Sequence, residues 1–320
     1  MPGIRHRAVE RGPQPRATAR SRGRERLAGY AAGALVVAIW TAFVIVSRAG
    51  ALGPLMPTDI AGLRMSVALC IAAPIALRFG LAGLSFARAS VLVATAGLGF
   101  PLLAYSGFAF APAAHASILM SGTLPLWTAL LARLFLGQEL TARRLASLGL
   151  LVLGILALAS GLEEAPEGAW RGDLLFLAAS FSWAVFTIAA RAWNVPAVPT
   201  AGIVGVGAGL FYLPLWIALM PKGLAEVDLV ELAAHGLYHG LLAFFVAFVA
   251  YTRCLALLGP GPTTMLTAIV PGLGAVLAAP LLDEPLTVSA LLGLAFVTAG
   301  MVTTIAAANP NRARSEDRAG

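Results

Sequence analysis

The chain has 320 residues, of which 59% are hydrophobic and only 12% charged, and its mean hydropathy is +0.86. A soluble domain carries about 25% charged residues, so the apolar surface exceeds what one globule of this size can bury, and a bilayer must cover the surplus. The formal charge of +7 does not indicate nucleic-acid binding, because eight arginines crowd the first 26 residues and most other charges separate apolar runs. We therefore predict a membrane protein with a lipid bilayer, and no nucleic acid, as its partner.

Ten apolar runs follow one another along the chain, and each is about 20 residues long, enough for a helix to cross roughly 30 Å of hydrocarbon. The runs are continuous and not alternating, which favours helices over the strands of a barrel. The sequence thus predicts an all-α polytopic membrane protein with spans at 29–47, 58–78, 89–110, 112–134, 143–161, 172–192, 198–220, 235–257, 262–282 and 287–307.

Lysine and arginine are unevenly distributed among the segments between these runs. With the N-terminus in the cytoplasm, eighteen of the 22 basic residues lie inside, and only Arg48, Arg171 and Lys222 lie outside. Cytoplasmic segments of membrane proteins carry the basic excess. We therefore expect a multi-pass protein of the bacterial inner (plasma) membrane with both termini in the cytoplasm.

Five landmarks recur in the same order at a spacing of 143 to 146 residues. The pairs are Trp40…Arg48 with Trp183…Arg191, Ala104-Tyr105 with Ala250-Tyr251, Pro125 with Pro271, Glu139 with Glu284, and Gly149 with Gly293. Each unit holds five spans, an odd number, so the second unit is inverted in the membrane. Inverted repeats let many carriers expose one central site to each side in turn.

The predicted organisation follows from this repeat. A basic cytoplasmic tail (1–28) precedes the first five-helix repeat (29–161), and an acidic external linker (162–171) leads to the second, inverted repeat (172–307). A cytoplasmic tail (308–320) ends the chain.

These landmarks resemble the drug/metabolite transporter superfamily, and specifically its EamA-like ten-helix family, over residues 29 to about 307. The resemblance also includes Arg64 in the second span, the run from Tyr105 to Ser117, the segment 137–141 and the segment Asp283-Glu284-Pro285-Leu286-Thr287. It implies secondary export of amino acids or related small metabolites through a cavity lined by the first four helices of each unit. His115 and Gly207 depart from the family pattern, the latter near the place expected for a second Arg64.

Arg64 is the first candidate for substrate binding. A charged side chain inside a span costs about 2.5–3.5 kcal/mol on insertion scales, so it normally faces a cavity or a partner. Arg64 is therefore a candidate to hold a substrate carboxylate in bidentate fashion; the alternative is a structural arginine that snorkels or pairs with a carbonyl. Asp59, five residues earlier, is expected to cap the N-terminus of the same helix.

Six further residues are candidates for the substrate site: Trp40, Tyr105, Ser117, Trp183, Tyr251 and Thr264. Aromatic residues also form interfacial belts, and hydroxyls also bond between helices, so structural roles stay open for them. Pro125 and Pro271 are expected to kink their spans and free backbone carbonyls. His115, His235 and His239 fall near predicted outer span ends, which favours interfacial positions.

The sequence carries no pattern typical of an enzyme. It has no HExxH, no GxSxG, no nucleotide loop and no acidic pair within a span, and Cys70 and Cys254 lie in apolar runs without metal spacing. We expect no catalytic residue, no metal and no cofactor, and a small-molecule substrate for a monomer or homodimer. An uptake carrier, a multidrug efflux protein and, from another class, a membrane-embedded enzyme remain alternatives.

Overall fold

The structure is a computed structural model that describes residues 19–161 and 165–307. Over these ranges the chain forms ten long helices: α1 (Gly23–Leu52), α2 (Pro57–Phe79), α3 (Phe86–Phe108), α4 (Ala113–Leu136), α5 (Ala142–Ala159), α6 (Ala169–Ala192), α7 (Ala197–Leu219), α8 (Leu229–Leu258), α9 (Pro262–Leu282) and α10 (Val288–Ala307). Among the described residues, the first nine are long and apolar enough to cross a membrane, and α10 adds a shorter apolar stretch. The predicted all-α polytopic fold is confirmed. Most of both predicted tails and residues 162–164 of the linker lie outside the described residues.

The packing of the helices follows the five-helix repeat. Helix α1 packs against α8 and α9, and α6 packs against α3 and α4. Helix α2 packs against α7, α4 against α9, and α5 against α10. Exchanging each helix for the one five places away in the chain maps this set of contacts onto itself. The two repeats therefore pack around a pseudo-twofold axis, and most helix interfaces join one repeat to the other.

Helices α4 and α9 are broken at equivalent places. Helical structure in α4 is interrupted at Gly122 and Thr123, and in α9 at Ala268 and Ile269. The next helical segments begin at Leu124 and Val270, which makes Pro125 and Pro271 the second residues of new segments. A proline in a first turn leaves no hydrogen bond unmade, because its missing N–H needs no partner there. The predicted interior kink is thus replaced by a break, and each proline starts the second half of its span.

Three helices contain π-helical segments, in which the backbone hydrogen bonds span one extra residue. They are Val93–Gly99 in α3, Ser117–Ser121 in α4 and Leu237–Val246 in α8. Such segments are frequent at functional sites, since the wider turn redirects side chains and loosens the helix.

Candidate functional site

Arg64 lies in α2 with only 6% of its surface exposed. Its Nη1 donates a hydrogen bond to the backbone carbonyl oxygen of His239 in α8 at 3.2 Å, and its guanidinium carbon lies 5.5 Å from the ring centroid of Phe244. Across residues 19–161 and 165–307, the ion pairs within 4.0 Å are Arg48 with Glu284 and His115 with Asp173. Arg64 is therefore a buried cation without a carboxylate partner in the part of the chain that the structure describes.

The close approach of α8 to α2 places His239 beside Arg64. A Cβ atom on Gly240 would lie 2.8 Å from the carbonyl oxygen of Arg64 and 2.5 Å from Cβ of Val67. Only glycine allows the two backbones to come this near, as is common where membrane helices pack through small residues. The same approach aims the carbonyl of His239 at the guanidinium.

A small cavity lies directly beside Arg64, between α2, α3, α7 and α8. It measures about 10 Å³ and is lined mainly by small and apolar residues: Arg64, Met65, Ala68, Ala96, Gly97, Val204, Gly205, Ala208 and Phe244. This volume holds about one water molecule. This cavity is therefore too small for a substrate as large as an amino acid in the described conformation.

Two histidines and three aromatic residues form a buried group next to Arg64, which we call the histidine cluster: Phe43, Tyr105, His235, Tyr238 and His239. The hydroxyl of Tyr105 lies 3.1 Å from Nδ1 of His239, and the rings of His235 and His239 stack at 5.7 Å. The candidate Tyr105 thus contacts His239, whose backbone carbonyl oxygen accepts the hydrogen bond from Arg64.

The histidines predicted near the outer ends of their spans face the interior of the bundle. His115, His235 and His239 are all buried, with exposures of 5%, 7% and 0%. His235 fits inside the bundle because it packs on Gly50, where a Cβ atom would lie 2.6 Å from the imidazole ring. Among the described atoms, Nδ1 of His235 and Nε2 of His239 have no hydrogen-bond partner. Their spacing of four residues in an apolar run was the one sequence signal that both face the same side of a helix.

The other predicted aromatic residues lie in two equivalent helix interfaces. Trp40 of α1 stacks on Tyr251 of α8, with ring centroids 5.5 Å apart and an interplanar angle of 26°. Trp183 of α6 contacts Phe100 of α3 at 4.9 Å. Exact repeat symmetry would pair Trp183 with Tyr105, but Tyr105 instead faces His239. This asymmetry coincides with a second one. Arg64 has no arginine counterpart in the second repeat, where Gly207 lies near the equivalent position.

The two predicted hydroxyl residues have different environments. Ser117 is fully buried in the π-helical part of α4 and faces Gly274 of α9, where a Cβ atom would lie 2.6 Å from its Oγ. Ser117 Oγ has no hydrogen-bond partner among the described atoms. Thr264 is exposed, whereas its neighbour Thr263 is buried and lies 3.4 Å from Sγ of Cys254. The structure therefore places Ser117 at the crossing of the two broken helices and Thr264 away from the buried cluster.

A second charged group joins the two repeats at one end of the molecule. Nε of Arg48 donates to Glu284, and Nη1 of Arg48 donates to the carbonyl oxygen of Phe108. The other carboxylate oxygen of Glu284 accepts from the backbone N–H of Ala113 at 2.8 Å. Arg48 was expected in an external segment, but it is 8% exposed within α1. Sequence reasoning missed this pair because its members are 236 positions apart.

Asp59 has a larger role than the capping predicted for it. The N-cap residue of α2 is Met56, and Asp59 is the third residue of the helix, from where its carboxylate accepts from the N–H of Met56 at 3.2 Å. It also accepts from Nε1 of Trp216 at 3.0 Å and from the N–H of Gly223 at 2.8 Å. This fully buried carboxylate therefore ties the start of α2 to the end of α7 and the segment after it.

The helical bundle, its two related repeats, its broken helices and its buried arginine define a multi-pass membrane transporter. The model of the EamA-like transporter family matches residues 27–160 and 170–306, one match for each repeat. The chain therefore belongs to the EamA-like transporter family.

Named relatives in bacteria are carriers of the same size. A probable amino-acid metabolite efflux pump of Escherichia coli is 29% identical over 85% of this chain and 92% of its own length. A probable terminal-alkyne amino-acid exporter of Streptantibioticus cattleyicolor is 27% identical over 84% of this chain and 90% of its own length. The uncharacterized transporter YetK of Bacillus subtilis is 23% identical, and this chain spans only 58% of its length.

A solved structure shares the fold. This crystal structure superposes with a TM-score of 0.60 over 89% of the present chain and 97% of its own, at 16% sequence identity. Identity at this level indicates a common arrangement of helices and does not carry a substrate from one protein to the other.

Proposed function

We propose that the protein is a secondary exporter of amino acids or related small metabolites, and that Arg64 binds the carboxylate of the substrate. The observation that carries this proposal is the contrast between two buried arginines. Arg48 is neutralised by Glu284, whereas Arg64 donates to a backbone carbonyl and lies beside the ring of Phe244, without a carboxylate in ion-pair distance among the described residues. A buried cation without a neutralising partner destabilises the protein. An anionic group of the substrate would neutralise it and offset that loss.

The surroundings of Arg64 also fit the remainder of an amino acid. The histidine cluster offers the polar atoms of Tyr105 and His239 beside aromatic faces, and aromatic faces attract ammonium groups. The lining of the adjacent cavity by alanine, glycine, valine and phenylalanine suits an apolar side chain. A multidrug carrier for organic cations, in contrast, would not place an unpaired arginine at this position.

The proposed direction of transport and the proposed source of energy are supported by different observations. Relatives named as an amino-acid metabolite efflux pump and an amino-acid exporter favour export over uptake. The chain has no nucleotide-binding loop, so transport would be secondary. The proposed exporter acts in the bacterial inner membrane as a monomer or homodimer.

Transport from proteoliposomes loaded with labelled amino acids tests this proposal. We expect Arg64→Gln to lower substrate efflux about tenfold or more, because charge-assisted hydrogen bonds contribute about 1.5–3 kcal/mol. Arg78→Gln, an exposed arginine at the end of the same helix, is the matched control and should transport normally.

A second comparison tests the carboxylate itself. The wild-type protein should export an amino acid but not the amine that lacks its carboxyl group. Equal transport of the two compounds, or wild-type efflux by the Arg64→Gln variant, would show that Arg64 serves the fold and not the substrate.

A further inference from the structure

Two pairs of charged residues occupy equivalent places in the two repeats. Arg48 lies near the end of α1 and Arg191 near the end of α6, 143 positions later. Glu284 follows α9, and Glu139 follows α4, 145 positions earlier. The pseudo-twofold axis that exchanges the repeats therefore takes the pair Arg48 and Glu284 onto the pair Arg191 and Glu139. The inverted order of the repeats places these pairs at opposite ends of the molecule.

The two pairs are in opposite states. The side chains of Arg48 and Glu284 are joined and only 9% and 13% exposed. Arg191 and Glu139 are both exposed, and no ion pair includes either of them within residues 19–161 and 165–307. The two pairs have the same residue types and are related by symmetry. Arg48 and Glu284 are thus joined at one end of the molecule, whereas Arg191 and Glu139 are separated at the other.

The closed pair joins elements of both repeats. Arg48 contacts the end of α3 through Phe108, and Glu284 contacts the start of α4 through Ala113. His115 of α4 and Asp173 of α6 add a second link between the repeats, with Nδ1 and Oδ1 2.8 Å apart. Pulling the repeats apart at this end requires that these contacts break.

The packing of the helix joints agrees with this difference between the ends. Ala111 and Ala113, in the joint between α3 and α4 at the closed pair, are fully buried. Leu257 and Gly259, at the equivalent positions 146 residues later, are only half-buried. The structure is therefore tighter at the end that holds Arg48 and Glu284.

We propose that Arg48 with Glu284 and Arg191 with Glu139 are reciprocal gates, each formed in only one of two alternating conformations. A buried ion pair gains little net energy over apolar packing, but breaking it leaves a buried charge, so it stabilises the state that contains it. In a protein built from inverted repeats, the opposite state arises when the repeats exchange conformations. Arg191 and Glu139 then approach each other as Arg48 and Glu284 separate.

The expected topology assigns a side to each gate. Arg48 and Glu284 lie at the end predicted to be outside, so the described conformation is closed to the exterior. The gates depend on the alternating access included in the proposed function. They do not depend on the role of Arg64 or on the identity of the substrate.

Disulfide trapping of the separated pair tests the reciprocal gates. The background carries Cys70→Ser and Cys254→Ala, which remove the native thiols, and cysteines replace Glu139 and Arg191. A disulfide forms only when the two Cβ atoms come within about 4 Å. Purified protein is oxidised, and the thiols that remain free are counted by the gel shift that a polyethylene-glycol maleimide produces.

Breaking the closed pair should favour the disulfide at the other end. We expect Glu284→Gln to raise the cross-linked fraction of the Glu139→Cys/Arg191→Cys protein severalfold. Asp283→Asn removes the adjacent exposed charge and serves as the matched control, since asparagine tolerates the left-handed backbone at this position. Arg48→Gln is an independent way to break the same pair. A cross-linked fraction that neither Glu284→Gln nor Arg48→Gln changes overturns the proposal.

A transport measurement uses variants in which the substitution is not expected to change stability. Glu139 is exposed in the described conformation, and substitutions at exposed positions rarely affect stability. We expect Glu139→Gln to slow efflux severalfold, whereas Glu167→Gln, at another exposed glutamate, should not. Normal efflux by Glu139→Gln contradicts a gate at that end. Because the cross-linking needs no substrate, it also separates failure of the gates from failure of the proposed exporter function.

Discussion

Gly154 of α5 and Gly293 of α10 meet face to face where the two repeats contact each other. A Cβ atom on either glycine would lie 2.9 Å from the carbonyl oxygen of the other. The methyl group of Val297 is also near, 2.8 Å from the site of a Cβ on Gly154. The backbones of α5 and α10 approach this closely because neither residue has a side chain, which is the usual way that membrane helices gain packing contacts.

This contact predicts that Gly154→Val destabilises the protein. The added side chain meets backbone atoms that cannot move aside without separating the helices, and overpacking of this kind costs about 1–3 kcal/mol. Gly149→Val in the same helix is the control, since a Cβ atom there has no neighbour within 4 Å. Thermal unfolding of the purified proteins in detergent should show a lower midpoint for Gly154→Val alone. Equal midpoints for both variants would mean that helix propensity, and not the contact, sets the loss.

The carboxylate of Asp59 predicts a second stability effect. It accepts three hydrogen bonds while fully buried, and in Asp59→Asn an amide N–H₂ group replaces one of the accepting oxygens. We expect a loss of about 2–3 kcal/mol, since hydrogen bonds to charged groups are the strong ones. Trp216→Phe removes one donor and should cost less. Glu226→Gln, at an exposed carboxylate of the same region, should leave the unfolding midpoint unchanged.

The helices could be predicted from the sequence, but the breaks and the partners of the buried charges could not. Hydropathy is a local property, so each apolar run indicates its own span. Arg48, in contrast, pairs with Glu284, and no sequence feature near either residue indicates that the two form a pair. Likewise, the prolines at 125 and 271 are compatible with either a kink or a new first turn. Only the packing of α4 against α9 determines which of the two forms.

The burial of the histidine side chains within the bundle could not be predicted from the sequence either. His235 and His239 lie in an apolar run like many interfacial histidines, and the burial of His235 depends on Gly50 of a distant helix. The position of Arg64 inside a span did indicate a buried cation, because charge within an apolar run is itself unusual. The sequence therefore marked the cation of the candidate site but not the group that surrounds it.

The hydrogen bond between Tyr105 and His239 predicts an effect on transport that can be separated from stability. Tyr105→Phe removes the hydroxyl next to Arg64 and leaves Nδ1 of His239 without its partner. We expect the KM for efflux to rise severalfold and the free energy of unfolding to fall by about 1 kcal/mol. Tyr212→Phe is the control, since this buried tyrosine also makes one hydrogen bond, to the carbonyl oxygen of Thr58 at 3.0 Å.

The comparison of the two tyrosine variants distinguishes the roles of the hydroxyls. Both proteins should lose similar stability, but Tyr212→Phe should keep the wild-type KM because its hydroxyl bonds to the start of α2. If both variants change KM alike, the effect follows from stability and Tyr105 does not act in the substrate site.

The burial of Arg48 sharpens the prediction of topology. As a partner of Glu284 inside α1, Arg48 is not a loop charge, so only Arg171 and Lys222 remain as basic residues of the predicted outer segments. The basic excess on the cytoplasmic side is then even larger, and it predicts that the segment before α5 faces the cytoplasm while the segment before α6 faces outward.

Cysteine labelling in intact cells tests this orientation. In the Cys70→Ser background, Ala142→Cys and Glu167→Cys each place one thiol at an exposed position on opposite sides of α5, and the remaining Cys254 is buried. A membrane-impermeant maleimide added to intact cells should label Glu167→Cys at once and Ala142→Cys only after the membrane is permeabilised. The reverse pattern would place both termini outside. In that case, the closed gate of Arg48 and Glu284 would face the cytoplasm, and the described conformation would be open to the exterior.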